Sequence, residues 1–147
     1  MFSIGLFFFV GCANQNYVRT PMLNLGYDLK KEMSAPVGSV MLSRESWEKL
    51  CWEYWAGLVN GGYKTRCDED IDRFKEELIY AGRAGSVIRI AYKEYKGNES
   101  LYLARPAFFQ DLNYDLGSSD IIVFRGYRIR VLEATNERIL FIIQKDK

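Results

Sequence analysis

Several groups of residues in this chain have the types and spacing from which chemistry is built. Asp68, Asp70 and Asp72 stand at alternate positions, as in the opening of a loop whose oxygens surround calcium. Such a loop needs glycine at its sixth position and a bidentate glutamate at its twelfth. Those positions hold Arg73 and Ile79, so the pattern fails and an acidic solvated face is expected instead. Asp111 and Asp115 share a strand parity and suggest paired carboxylates for glycoside hydrolysis. Four residues of extended chain separate their Cα atoms by about 13–14 Å, against usual carboxyl spacings of about 5–9.5 Å, so a polar solvent face explains them better. Arg128 and Arg130 alternate with Tyr127, Ile129 and Val131 and, with Arg125, form a basic stripe suited to phosphate or carboxylate. An ordinary strand face paired with Glu94 or Glu133 is the competing reading. Trp47, Trp52 and Trp55, with Tyr54, place every tryptophan of the chain within nine positions. An exposed Trp52 among them suits a protein interface or sugar stacking, and core packing is the alternative.

The absences narrow the field further. There is no histidine, which removes the commonest general base and every His-ligated zinc or Ser-His-Asp arrangement. Walker loop, dinucleotide glycine fingerprint, G-x-S-x-G elbow and Cys-x-x-Cys motif are also missing. The reading is therefore non-catalytic, with no cofactor and no metal site. The 20 Lys and Arg against 19 Asp and Glu leave a net charge of +1, and nucleic acid is not an expected partner. With 147 residues, 48% of them hydrophobic, the chain suits one packed domain.

Phe2 to Val10 is an uncharged apolar run followed by Gly11 and Cys12. Its length matches the core of a secretory signal and falls short of the 20 or so residues that span a bilayer. Gly11-Cys12 at this place resembles the lipobox of bacterial lipoproteins. The resemblance implies that residues 1–11 are a signal peptide and that Cys12 becomes the acylated first residue of the mature chain. Ala13 after that cysteine, rather than Asp, implies the outer membrane, facing the periplasm, if the host is Gram-negative. A cytosolic domain with Phe2 to Val10 as a buried strand is the alternative, because Met1-Phe2-Ser3 carries no Lys or Arg.

Three cysteines are an odd number for an exported protein, and lipidation of Cys12 accounts for one. Cys51 and Cys67 then form a candidate disulfide in an oxidising compartment, with two separate buried thiols as the alternative.

Positioning these groups falls to a mainly β domain. Residues 12–36 lack periodicity and read as a tether, of which Met22 to Leu29 docks on the domain, and residues 37–147 as the globular part. Trp47, Leu50, Cys51, Tyr54, Trp55 and Leu58 fall on one helical stripe, which predicts an amphipathic helix stopped by Asn60-Gly61-Gly62. The rival reading is a hairpin turning at Asn60-Gly61 between aromatic strands. Asp68 to Phe74 reads as a turn or short helix. From Glu77 onward the period is two, with turns near 82–85, 97–98, 117–120, 125–126 and 136–137, which predicts an antiparallel meander. The expected fold is a small antiparallel barrel or sandwich with one amphipathic helix. Segments Glu77 to Gly85, Ile88 to Glu94, Ala104 to Leu116 and Phe124 to Asn136 resemble the C-terminal part of small exported bacterial lipoproteins with no assigned activity. That likeness implies a β-rich domain and brings no catalytic residues. The expected role is a non-catalytic interaction or accessory subunit in the cell envelope, held to the membrane by lipid and bound to an envelope protein. A glycan-binding protein or envelope enzyme is the alternative.

Overall fold

The structure, a computed structural model, describes residues 17–57, 62–97 and 103–147, the side chains of 68–70 and 103–107 excepted. Every regular element among them is a strand: β1 (Tyr17–Leu25), β2 (Glu32–Pro36), β3 (Val40–Trp55), β4 (Tyr63–Ala84), β5 (Val87–Gly97), β6 (Leu103–Asp115), β7 (Ile121–Phe124), β8 (Tyr127–Ala134) and β9 (Arg138–Lys145). They form two antiparallel sheets, a large one in the order β1-β3-β4-β5-β6 and a small one in the order β2-β9-β8-β7. The sheets pack face to face as a sandwich.

The core follows from strand parity. Leu78 and Tyr80 on β4 and Ile88, Ile90 and Tyr92 on β5 point inward from the large sheet. Ile129 and Val131 on β8 and Ile139, Phe141 and Ile143 on β9 meet them from the small one. Their alternation with exposed residues is the period of two that half-buried strands require. At one end the Tyr80 hydroxyl donates to the carbonyl of Thr135 at 2.6 Å and Arg83 donates to that of Ala134 at 2.9 Å, which joins the sheets across their edges.

The long strands of the large sheet outrun the small sheet. Beyond Ser46 on β3 and Phe74 on β4 they continue with β1 alongside as an extension of about nine residues, or roughly 30 Å at 3.4 Å per residue. Register shifts between Ser46 and Glu48 and between Leu50 and Cys51 each leave one more residue on β4 than on β3. Asp72, with φ of 52°, lies at the first of them.

Three sequence expectations are corrected here. The amphipathic helix from Trp47 is instead the distal part of β3, paired through Trp55↔Tyr63 as the hairpin alternative required; Leu58 and Asn60-Gly61 lie outside the described residues. In the extension neither face is uniformly buried, so the alternation that marks a strand is absent. The chance spacing of apolar residues then imitates a helix, although Trp, Tyr and Cys suit a strand. Asp68 to Phe74 is likewise part of β4. Residues 17–36, expected within a tether, carry β1 and β2: β1 pairs with β3 from Tyr17↔Trp52 to Leu25↔Arg44, and β2 pairs with β9. Nearly all β1 side chains are exposed, so backbone pairing holds it and no apolar pattern announces it. Elsewhere the predicted meander is observed, with the β4–β5 turn at Gly85-Ser86 rather than spread over 82–85.

Candidate functional site

Two regions concentrate chemistry: a buried polar cluster where the extension leaves the sandwich, and the aromatic far end of the extension.

Glu76 on β4 and Glu94 on β5 are directly opposite each other and both buried, Glu76 to 1% exposure. Like charges so placed repel, so their burial together requires compensation. The Glu76 carboxylate accepts from Tyr127 Oη at 2.6 Å, from Tyr92 Oη at 3.1 Å and, at both oxygens, from Lys147 Nζ at 2.6 Å. Tyr92 Oη also lies 2.5 Å from Glu94, and its single proton serves one carboxylate at a time. Arg125 donates to Glu94 and to the Tyr92 oxygen, with its guanidinium 5.1 Å from the Tyr92 ring centroid. Two acids thus meet two cations and two phenols.

Local structure delivers the cations. Arg125-Gly126 is the two-residue loop of the β7–β8 hairpin, with φ of 46° and 95°, as a type I′ turn needs. Gly126 also lets the last residue pass closely, since a Cβ there would lie 3.2 Å from Lys147 Cγ. Burial would raise the Glu76 pKa, but the bonds from Lys147, Tyr127 and Tyr92 outweigh it and hold the carboxyl below its ordinary range. Tyr92 and Tyr127 are pushed up by burial and by their carboxylate partners. Tyr27, raised to about 12 by burial and by its bond to Asp146, packs edge-on against Tyr127 at 6.2 Å. Such a cluster holds its charges in place and ties β4, β5, the β7–β8 turn and the last residue together.

Of the arginine stripe, Arg125 alone turns into this cluster. Arg128 and Arg130 lie on the outer face of the small sheet, as their parity predicts, with Arg130 2.9 Å from Asp120 and Arg128 donating to Gln144 at 3.0 Å. The expected neighbour Glu94 is taken up by Arg125, and Glu133 sits on β8 itself. Exposed Val123 and Leu132 border the stripe.

Cys51 and Cys67 are directly opposite on β3 and β4 and are joined by a disulfide, with Cα atoms 4.0 Å apart. The disulfide floors a shallow hollow of about 260 Å³ lined by Val18, Thr20, Trp52, Glu53 and Thr65. Trp52 is half-buried. Tyr17 meets it edge-on at 6.4 Å, and the Arg66 guanidinium lies 6.0 Å from its ring centroid. At the very end Trp55 and Tyr63 stack edge-on at 5.5 Å while 55% and 74% exposed, with Tyr54 exposed beside them. Trp47 is partly buried under Arg73 near the sandwich, so the tryptophan cluster divides between packing and display.

Asp111 and Asp115 are on the exposed face of β6, where Asp115 caps the following turn by accepting from the Gly117 amide at 2.9 Å. Asp72 is exposed and 3.7 Å from Arg19, and the Asp68 and Asp70 side chains lie outside the described residues. Cys12 also lies outside them. Sequence reasoning missed Glu76, Lys147 and the inward place of Glu94, and it gave Tyr92 and Tyr127, set on the apolar faces of their strands, no polar role. A signal was present: Glu76 continues the parity of Leu78 and Tyr80, and Glu94 that of Ile88, Ile90 and Tyr92, so each acid stands in phase with the core. Comparison with known protein families, with curated proteins and with solved structures finds no match.

Proposed function

We propose that this chain is an envelope lipoprotein, acylated at Cys12 after removal of residues 1–11, that serves as a non-catalytic interaction or accessory subunit. One observation carries the reading: β1 enters the fold at the far end of the extension, where Tyr17 pairs with Trp52, and runs toward the sandwich. An anchor N-terminal to Tyr17 therefore holds the molecule by the extension and leaves the sandwich free. The outer face of the small sheet is then available to a partner, with Arg128 and Arg130 bordered by Val123 and Leu132. Guanidinium groups beside apolar side chains suit an acidic protein surface. The buried Glu76 cluster supports the non-catalytic part, because its hydrogen bonds are satisfied within the fold.

Intact mass and membrane fractionation of wild type and Cys12→Ser, expressed in a bacterium, test the anchor. The expected wild-type product begins at an acylated Cys12 and sediments with membranes, and the substitution abolishes acylation. A soluble wild-type product that retains Met1 would overturn it.

A further inference from the structure

The aromatic end of the extension stands outside the hydrophobic core. Trp55, Tyr63 and Tyr54 are exposed there, and Tyr17 stands beside half-buried Trp52 one step nearer the sandwich. Aromatic rings with one apolar and one polar part favour the boundary between headgroups and acyl chains, where Trp and Tyr concentrate in membrane proteins. Lys64, directly opposite Tyr54, carries positive charge of the sign that anionic headgroups attract.

What covers this end follows from chain length. Four residues lie between Cys12 and Tyr17, and the five steps from one to the other, at most about 3.6 Å each, reach roughly 18 Å. An acyl group on Cys12 thus keeps the Tyr17 backbone within about 18 Å of the lipid attachment. Trp55 lies three residues beyond Trp52, only about 10 Å farther along β3. The sandwich begins about six residues away in the opposite direction, where Leu23 pairs with Ser46.

We infer that the end of the β3–β4 extension, through Trp55, Tyr63, Tyr54 and Tyr17, inserts at the headgroup boundary of the bilayer that holds the anchor. The inference rests on the anchor at Cys12 proposed above. Contact at two points, lipid and aromatic end, fixes the tilt of the extension. The small sheet then stands clear of the membrane with one face presented.

The acylated full-length product, reconstituted into phosphatidylethanolamine and phosphatidylglycerol vesicles, tests this through tryptophan fluorescence. The vesicles carry phospholipids brominated either near the headgroup end or near the tip of the acyl chain. Shallow bromines are expected to quench more than deep ones. Trp55→Phe should remove about half or more of that quenching, since Trp55 is the most exposed tryptophan at the boundary. Trp47→Phe should leave the quenched signal in place, because Trp47 is about 27 Å from Trp55 along β3. Unchanged thermal unfolding of both variants excludes misfolding as the cause. Absence of quenching in a protein whose mass shows acylated Cys12 overturns the inference and leaves the anchor standing. Where the mass shows no acylation the anchor fails, and the purified chain is mixed with the same vesicles: quenching that Trp55→Phe removes retains the aromatic contact, and its absence overturns both. A Trp55 signal that responds to peptidoglycan fragments and not to bromolipid overturns lipid contact in favour of glycan stacking.

Discussion

Glu76→Gln offers the sharpest test of the buried cluster. The substitution keeps the shape of the side chain, removes its charge and replaces one acceptor oxygen with an amide donor. Tyr127, Tyr92 and Lys147 all donate to the wild-type carboxylate, so the variant turns donors against a donor. A hydrogen bond to a charged group contributes about 1.5–3 kcal/mol, and breaking a buried ion pair costs about 3–5 kcal/mol when the surviving charge stays enclosed. The Lys147 side chain is 32% exposed, so its ammonium can turn toward water. The expected loss is then about 2–4 kcal/mol, and at about 3 °C per kcal/mol for a chain of this size Tm falls by about 6–12 °C. Thermal unfolding followed by circular dichroism at neutral pH reads it. Because the folded pKa of Glu76 lies below its ordinary value of 4.5, its contribution is fully present above that pH and is lost as pH falls through the depressed folded value. The gap between wild type and variant should accordingly close in acid. A Tm within about 2 °C of wild type at neutral pH, or a deficit that persists undiminished in strong acid, would refute the reasoning.

Reduction of Cys51–Cys67, or the double Cys→Ala variant, opens a link across a sequence separation of 16 and should cost up to about 3 kcal/mol. Hydrogen exchange should speed up in β1 and the distal parts of β3 and β4, and equal acceleration in β8 and β9 would contradict a clamp local to the extension. Tyr92 and Tyr127 have folded pKa values above 10, so their contribution is present below pH 10 and is lost as pH rises. Absorbance titration should show them ionising only with cooperative unfolding, and early, reversible ionisation of every tyrosine would contradict their enclosure. Arg128→Glu with Arg130→Glu should shift stability by less than about 1 kcal/mol, because the Arg130–Asp120 pair is half-exposed. In-cell photocrosslinking from position 132 should lose its product in that variant if the stripe carries the partner contact. Trp52→Ala should lower Tm by a few degrees, since the ring packs between Tyr17 and Arg66, while an unchanged Tm would show that the packing contributes nothing.

The parts of the fold legible in the sequence are those with one wet and one dry face. Ile88, Ile90 and Tyr92 against Arg89 and Lys93, and Ile129 and Val131 against Arg128 and Arg130, carry a period of two because the small sheet covers one side only. The extension has water on both sides, so Trp47, Leu50, Tyr54 and Trp55 follow no burial rhythm and a helical spacing emerges by coincidence. The edge strand β1 is equally silent, because its partner is the β3 backbone and not a core. Cys51 and Cys67 were legible as candidates but not as a bond, since opposite placement on paired strands becomes known only with their register. The Glu76 cluster was obscured by composition: an acid in phase with apolar neighbours reads as a surface residue until the Lys147 that neutralises it, 71 positions away, is brought to it.

The position of β1 has a mechanical consequence. Among the described residues it is an edge strand joined to β3 alone, and its N-terminal end lies toward the far end of the extension. A pull applied there and directed away from the sandwich runs along the strand axis. The hydrogen bonds to β3 lie across that axis and are loaded together in shear rather than peeled one by one. Pro21, opposite Glu48, stands at a position whose nitrogen faces away from β3, so it takes no bond out of that row. The same strand pulled sideways would unzip from Tyr17 inward at far lower force. The attachment therefore resists axial tension more strongly than lateral tension, a directionality that single-molecule pulling from either orientation would measure.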